Sequence, residues 1–159
     1  MSQEVLFPSR EWAEEWCRLL NESKEYFEAA KTAPWDSVVL ISTNVPENVR
    51  KALIEWEKQR GREVADPNST VGAIKLNIKG GKCLGAEFHT TGNVSGAIVL
   101  EAPYETWVKI LQGKLDITVA LLGGSIKVKK GSLTELARYT NAAVIMANLS
   151  RKVKSKIPT

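Results

Sequence analysis

His89, the only histidine in the chain, lies two residues after Glu87 and six after Cys83, and these three have the clearest capacity for chemistry. A Cys–His pair would supply a thiolate nucleophile, and a Glu–His pair a proton relay. Spacing decides against the first. Alternation predicts a strand here with all three side chains on one face, so Cys83 and His89 stand about 20 Å apart at ~3.3 Å per residue. Glu87 and His89, about 7 Å apart along the strand, are close enough for a salt bridge on a wet face. No third residue in the pattern orients them, so the pair reads as surface electrostatics and not as catalysis. Cys17, between Trp16 and Arg18 on a helix, reads as a small buried side chain.

One histidine and two isolated cysteines imply no zinc site, no Cys-x-x-Cys motif and no disulfide framework. Lone cysteines also fit a reducing compartment. Gly80-Gly81-Lys82 joins two predicted strands and lacks the upstream glycine and hydroxyl residue of a phosphate loop, while Gly123-Gly124 follows a helix as a C-cap would. No cofactor or metal is implied, and no enzymatic activity is expected. The 159 residues carry 22 basic and 18 acidic side chains. Four of the basic ones (Arg151, Lys152, Lys154 and Lys156) sit in residues 151–159, which hold no acid, so residues 1–150 are neutral. A basic tail on a balanced domain argues against a nucleic-acid partner, as do tryptophans confined to helices or their borders. No stretch reaches the length of a membrane span, and Met1-Ser2-Gln3-Glu4 does not open a signal peptide, so a cytoplasmic location is expected.

The elements that must position these residues follow from periodicity. Residues 9–31 predict one helix capped by Ser9, with Trp12, Trp16, Leu19, Leu20, Phe27 and Ala30 on a common stripe. Residues 37–42 predict a strand, and 46–60 a helix closed by Gly61. The period then changes to two. Ile74, Leu76 and Ile78 alternate with polar residues, Gly80-Gly81 forms a hairpin turn, and Leu84, Ala86 and Phe88 alternate in turn. A third run, 97–100, completes an expected three-strand antiparallel meander with an apolar face. Pro103 opens a helix bearing Trp107 and Leu111, and Asp116 caps a short one bearing Ile117, Leu121 and Leu122. Residues 126–129 predict a fifth strand. Ser132 and Glu135 form a capping box at the head of a last helix running to about Leu149. This order argues an α+β fold with an antiparallel sheet in a single domain spanning 1–159.

The last helix departs from a plain surface helix. Residues 142–147 are six consecutive apolar residues covering its whole circumference, so two bodies must cover it. The sheet is one; a helix, a second subunit or an apolar ligand is the other.

Trp107, then Leu111-Gln112-Gly113-Lys114-Leu115-Asp116, Ala120-Leu121-Leu122-Gly123-Gly124, Ile126-Lys127-Val128-Lys129 and Leu136-Ala137 together resemble the sterol carrier protein type two family. The likeness covers residues 70–150 closely and residues 1–70 by element type. Ser125 stands where the family usually has Lys, Lys130 is inserted before Gly131, and the helix at 46–60 is an insertion. The resemblance implies a five-stranded, mostly antiparallel sheet with helices on one face enclosing an apolar tunnel. It further implies non-covalent binding and transfer of a long-chain lipid: a fatty acid, a fatty acyl-CoA or a sterol-like molecule. The residues expected to line the tunnel are Trp107, Ile110, Leu111, Ile117, Leu121, Leu122, Ala143, Ile145, Met146 and Leu149. Transient contact with an anionic membrane would fall to Arg151, Lys152, Lys154 and Lys156. The alternative is a ligand-free interaction module, dimeric through the apolar surface of the last helix; monomer and homodimer are both open.

Overall fold

A computed structural model describes residues 4–159. Met1–Gln3, part of the stretch read as lacking a leader, lie outside the described residues. β-branched and apolar runs form a five-stranded sheet in the order β4-β3-β2-β5-β6, from β2 (Ser37–Thr43), β3 (Gly72–Lys79), β4 (Lys82–His89), β5 (Ile98–Pro103) and β6 (Lys127–Lys130). The sheet is mostly antiparallel, as expected, with one exception. β5 does not return beside β4 to complete a meander; it crosses over and pairs parallel with β2, Val38 opposite Ile98 through Thr43 opposite Pro103. Alternation reveals which face of a strand is apolar but not which neighbour it takes.

Inward side chains of β2, β3 and β5, including Val38, Leu76 and Leu100, join the main core. Their outward neighbours Val39, Ile41, Ala73 and Val99 form a separate small cluster covered by Val71 and Val94, with no helix residue in it. The helices therefore pack on one face. They are α1 (Arg10–Asn21), α2 (Lys24–Ala30), α3 (Glu47–Gln59), α4 (Tyr104–Leu111), α5 (Ile117–Leu122), α6 (Leu133–Arg138) and α7 (Thr140–Ser150).

Two helices expected to be continuous are broken by side chains that bond elsewhere. Residues 9–31 divide at Glu22, because Ser23 caps α2 by accepting from the Tyr26 amide at 3.0 Å. Residues 132–149 divide at Tyr139, whose ring meets Trp35 edge-on at 4.9 Å while its hydroxyl donates to the Thr32 carbonyl at 2.9 Å. Tertiary anchorage outweighs the propensity to continue the helix.

Two further expectations are corrected. Cys17 and Cys83 are joined in a disulfide, Cα atoms 5.4 Å apart. The predicted parity of β4 had placed Cys83 on the face of Glu87 and His89, turned away from Cys17. The β3–β4 hairpin, however, carries a bulge: Ile78 opposes Cys83 and Asn77 opposes Gly85, leaving Leu84 as the extra residue. Cys83 turns inward onto α1, and Leu84, expected on the apolar face, is 67% exposed. Asn21 locks the bulge, accepting from the Cys83 amide and donating to its carbonyl, both at 2.8 Å. The second correction concerns residues 151–159, which are no loose tail. β7 (Ser155–Lys156) pairs in parallel with β1 (Val5–Leu6), Val153 is buried, and Trp12 Nε1 donates to Ser155 Oγ at 2.7 Å. With Cys17 and Cys83 oxidised, the free thiols behind the expectation of a reducing compartment are gone. No helix among the described residues is long and apolar enough to cross a membrane.

Candidate functional site

Between the inner face of the sheet and the helices lies an apolar cavity of about 260 Å³. Its floor is built by inward strand residues such as Leu40, Ile74, Ile98 and Leu100, spaced by two as strand geometry requires. Its walls come from α1 (Trp12, Trp16), α2 (Tyr26, Ala30), α4, α5, α6 and α7. The period of 3.6 brings Trp12 and Trp16 one turn apart onto the same side of α1.

Among the described residues, no Asp, Glu, Lys, Arg or His lines this space. Trp12, Trp16 and Trp107 present only hydrocarbon to it, because the indole N–H of each of the three is bonded elsewhere. Trp12 Nε1 meets Ser155 Oγ, Trp16 Nε1 donates to the Met146 carbonyl at 3.0 Å, and Trp107 Nε1 donates to the Ile41 carbonyl at 2.9 Å. Thr140 donates to the Ala137 carbonyl at the end of α6, and Ser150 to the Ala147 carbonyl within α7. Tyr26 is 1% exposed, and burial pushes its hydroxyl pKa up to about 12, so it stays neutral at any physiological pH. Such a site can hold hydrocarbon and has no countercharge for a buried ion.

Of the residues expected to line it, Trp107, Ile110, Leu111, Ile117, Leu121 and Leu122 do so from α4 and α5, and Ala143 and Met146 from α7. Ile145 and Leu149 do not; they pack half-buried against the main core from the other sides of α7. The residues that were missed are Trp12, Trp16 and Tyr26, the inward strand residues, and Leu133 and Leu136 on α6. The Trp12/Trp16 stripe and the strand parity were the available signals. Which of several apolar stripes face a void, and which a packed neighbour, is not written in periodicity.

The run at 142–147 that suggested a dimer face is partly covered within the chain, with Ala143, Val144, Ile145 and Met146 half-buried. Ala142 and Ala147 are buried, none of the six is exposed, and α7 packs on α1, α2, α4 and α5. At the other end of the site the cover thins. α6 has no buried residue, and Leu122 and Leu133, both cavity-lining, are 72% and 44% exposed. The cavity opens between α5 and α6.

Glu87 and His89 do form a pair, Oε1 to Nε2 at 3.0 Å, on the outer face of the sheet. A hydrogen bond from Asn77, and then one from His89, holds the Glu87 carboxyl below the ordinary carboxylate range. The pair lies across the sheet from the cavity. The disulfide leaves no thiol for it to activate.

No protein-family model matches the sequence, and no curated protein matches it significantly. Solved structures do. A crystal structure of sterol carrier protein 2 aligns at 30% identity over 91% of this chain and 97% of its own, with a TM-score of 0.72. A solution structure of a conserved hypothetical protein from Thermus thermophilus, described as possibly sterol carrier protein, aligns at 32% identity over 98% of this chain and 94% of its own, with a TM-score of 0.74.

Proposed function

The chain belongs to the sterol carrier protein 2 family, and from that premise we propose that it binds a long-chain lipid without covalent chemistry and transfers it between membranes. The observation that carries this reading is the cavity itself. Sealed apolar volume destabilises a fold by ~24 cal/mol per Å³, so an apolar space of about 260 Å³ with an open mouth costs, left unfilled, at most on the order of 6 kcal/mol. That is as large as the whole stability of many domains of this size. A lipid chain removes the cost by supplying the missing dispersion contacts.

The lining also selects how a lipid sits. With no charged group inside, a fatty acid or acyl-CoA places its chain in the cavity and its carboxylate or phosphates at the α5–α6 opening, whereas a sterol-like molecule enters whole. Loading requires a membrane. Lys152, Lys154 and Lys156 are exposed, the last two although their backbone is held by the β1 segment, so they and Arg151 remain available for long-range attraction to an anionic leaflet.

Native mass spectrometry, with solvent extraction and mass analysis of what is released, tests the reading. One lipid per chain, lost on delipidation and regained from added fatty acid or sterol, is the expected result. A protein that takes up neither, with the same thermal midpoint before and after extraction, would refute it.

A further inference from the structure

Most polar side chains that reach the cavity are already bonded within the protein, which isolates two that are not. Ser42 and Tyr26 both line the cavity and are 5% and 1% exposed. Among the described residues neither hydroxyl has a hydrogen-bond partner, and burial alone raises the pKa of Tyr26. The wholly enclosed side-chain atoms without a partner are Arg50 Nε and the Tyr104 hydroxyl. The Ser42 and Tyr26 hydroxyls are not enclosed in that way; the little surface these two residues keep faces the cavity. The remaining unpaired groups of the lining, on Thr118 and Trp35, belong to half-buried residues within reach of solvent.

Strand geometry turns Ser42 inward. It shares parity with Val38 and Leu40, which also line the cavity, while Val39 and Ile41 lie on the outer face. β2 is flanked by β3 and β5, and opposite Ser42 stand Gly72 and Ala102, too small to cover its hydroxyl. The indole N–H of Trp107 comes to this end of β2 but bonds the adjacent Ile41 carbonyl. Tyr26 reaches the cavity from the first turn of α2, with Ala30 one turn further on. For folding alone both hydroxyls are a burden. A buried hydroxyl loses its water and gains nothing until a partner replaces it, and an Ala or Phe in the same place would carry no such loss.

We propose that Ser42 and Tyr26 are specificity residues that bind a hydroxyl on the buried part of the lipid, and so select a hydroxylated lipid over one that is hydrocarbon throughout. The proposal rests on the carrier reading and adds to it the class of cargo. Chemistry narrows the partner. With no countercharge in the lining, a carboxylate, a phosphate or an ammonium group is refused at this depth. A hydroxyl both donates and accepts, as Ser and Tyr do, so it pairs with either in the orientation available. A plain alkyl chain leaves both side chains unpaired and displaces any water that served them, which a site with buried polar groups penalises. Two sources share this chemistry: a hydroxyl along a fatty chain and the hydroxyl of a sterol-like alcohol.

The test is displacement of a fluorescent fatty acid from delipidated protein by matched lipids that differ in one hydroxyl. One arm sets stearic acid against derivatives hydroxylated near the carboxyl, at mid-chain and at the methyl end; the other sets cholestane against cholestanol. The readout is the ratio of the two dissociation constants in each protein, from which a general change in affinity cancels. In the wild type a hydroxyl in at least one of these places should tighten binding by about tenfold, the effect of pairing one buried hydroxyl otherwise left unpaired. The arm that responds identifies the source. The double variant Ser42→Ala, Tyr26→Phe should abolish the advantage, and the two single variants show which hydroxyl is read. Each single variant should hold or raise the thermal midpoint of the lipid-free protein, since it removes an unpaired group. If no hydroxylated lipid outcompetes its parent in the wild type, or if the double variant keeps the preference, the proposal is overturned. A midpoint that falls in both single variants would do the same, by showing the hydroxyls bonded within the protein. Stearic acid that binds with no response to hydroxylation in either arm refutes this proposal alone, whereas failure of every lipid to bind refutes the carrier reading beneath it.

Discussion

Ala143 offers a decisive perturbation, because it lines the cavity from α7 beside the ligand space proposed above. Ala143→Phe puts a phenyl ring of roughly 100 Å³ into that space, which at ~24 cal/mol per Å³ recovers about 2.4 kcal/mol in the lipid-free protein. Ordering the ring takes back about 0.5–1 kcal/mol. The net gain of about 1.5 kcal/mol raises the thermal midpoint of a domain this size by about 3–6 °C. Lipid affinity moves the other way, since ring and chain compete for one volume, and a fall of about tenfold or more is expected. Scanning calorimetry on delipidated protein reads the first effect, and displacement of a fluorescent fatty acid reads the second. Ala120→Phe is the control. Ala120 is 0% exposed on α5 and does not touch the cavity, so the same substitution overpacks it and should cost about 1–3 kcal/mol. If Ala143→Phe lowers the midpoint as Ala120→Phe does, the space beside it is filled by protein and the cavity argument fails.

Two other outcomes follow from contacts outside the cavity. The Cys17–Cys83 bond joins residues 66 apart in sequence, so replacing both by Ser should remove on the order of 4 kcal/mol, read by urea denaturation; matching midpoints for oxidised and reduced wild type would refute it. Burial alone would raise the Glu11 pKa, but hydrogen bonds from Arg62 and Trp56 overcome it and hold the carboxyl at about 2, below its ordinary 4.5. A depressed carboxylate stabilises the fold above its unfolded pKa and ceases to as pH falls through the folded one. The stability lost in Glu11→Gln, about 1 kcal/mol at pH 7 once solvent screening of this partly exposed carboxyl is allowed for, should therefore shrink between about pH 4.5 and pH 2. A gap that stays constant across that range would show the carboxyl is not coupled to Arg62.

Much of the site was readable because it is made of periodic stripes. Trp107 and Leu111 on one helix, Ile117 and Leu121 on the next, and Ala143 and Met146 on a third are each three or four apart, and each pair reaches the cavity. Ile145 and Leu149 were misplaced because α7 is apolar nearly all round, and a helix without a polar face does not declare which side is inward. β4 failed for a different reason. Strand parity is correct only while pairing is uninterrupted, and the extra residue at Leu84 reversed the outlook of Cys83 while leaving Glu87 and His89 as expected. Pairing between distant segments was illegible altogether. β2 beside β5, β1 beside β7 and Cys17 to Cys83 all depend on tertiary packing, which local pattern does not encode.

The pairing of β1 with β7 has a consequence for how the chain is made. Val5 and Leu6 emerge from the ribosome early, yet their partners Ser155 and Lys156 lie about 150 residues downstream. At ~5–20 residues per second they wait on the order of ten seconds. Throughout that interval Trp12 lacks its bond to Ser155, a contact 143 residues apart in sequence, and the wall it forms cannot be completed. The wall that Trp12 contributes is therefore tied down only once residues 155 and 156 are available. That interval is when a chaperone would be needed, and ribosome profiling of chaperone occupancy should place its engagement before, and its departure after, translation of residue 156.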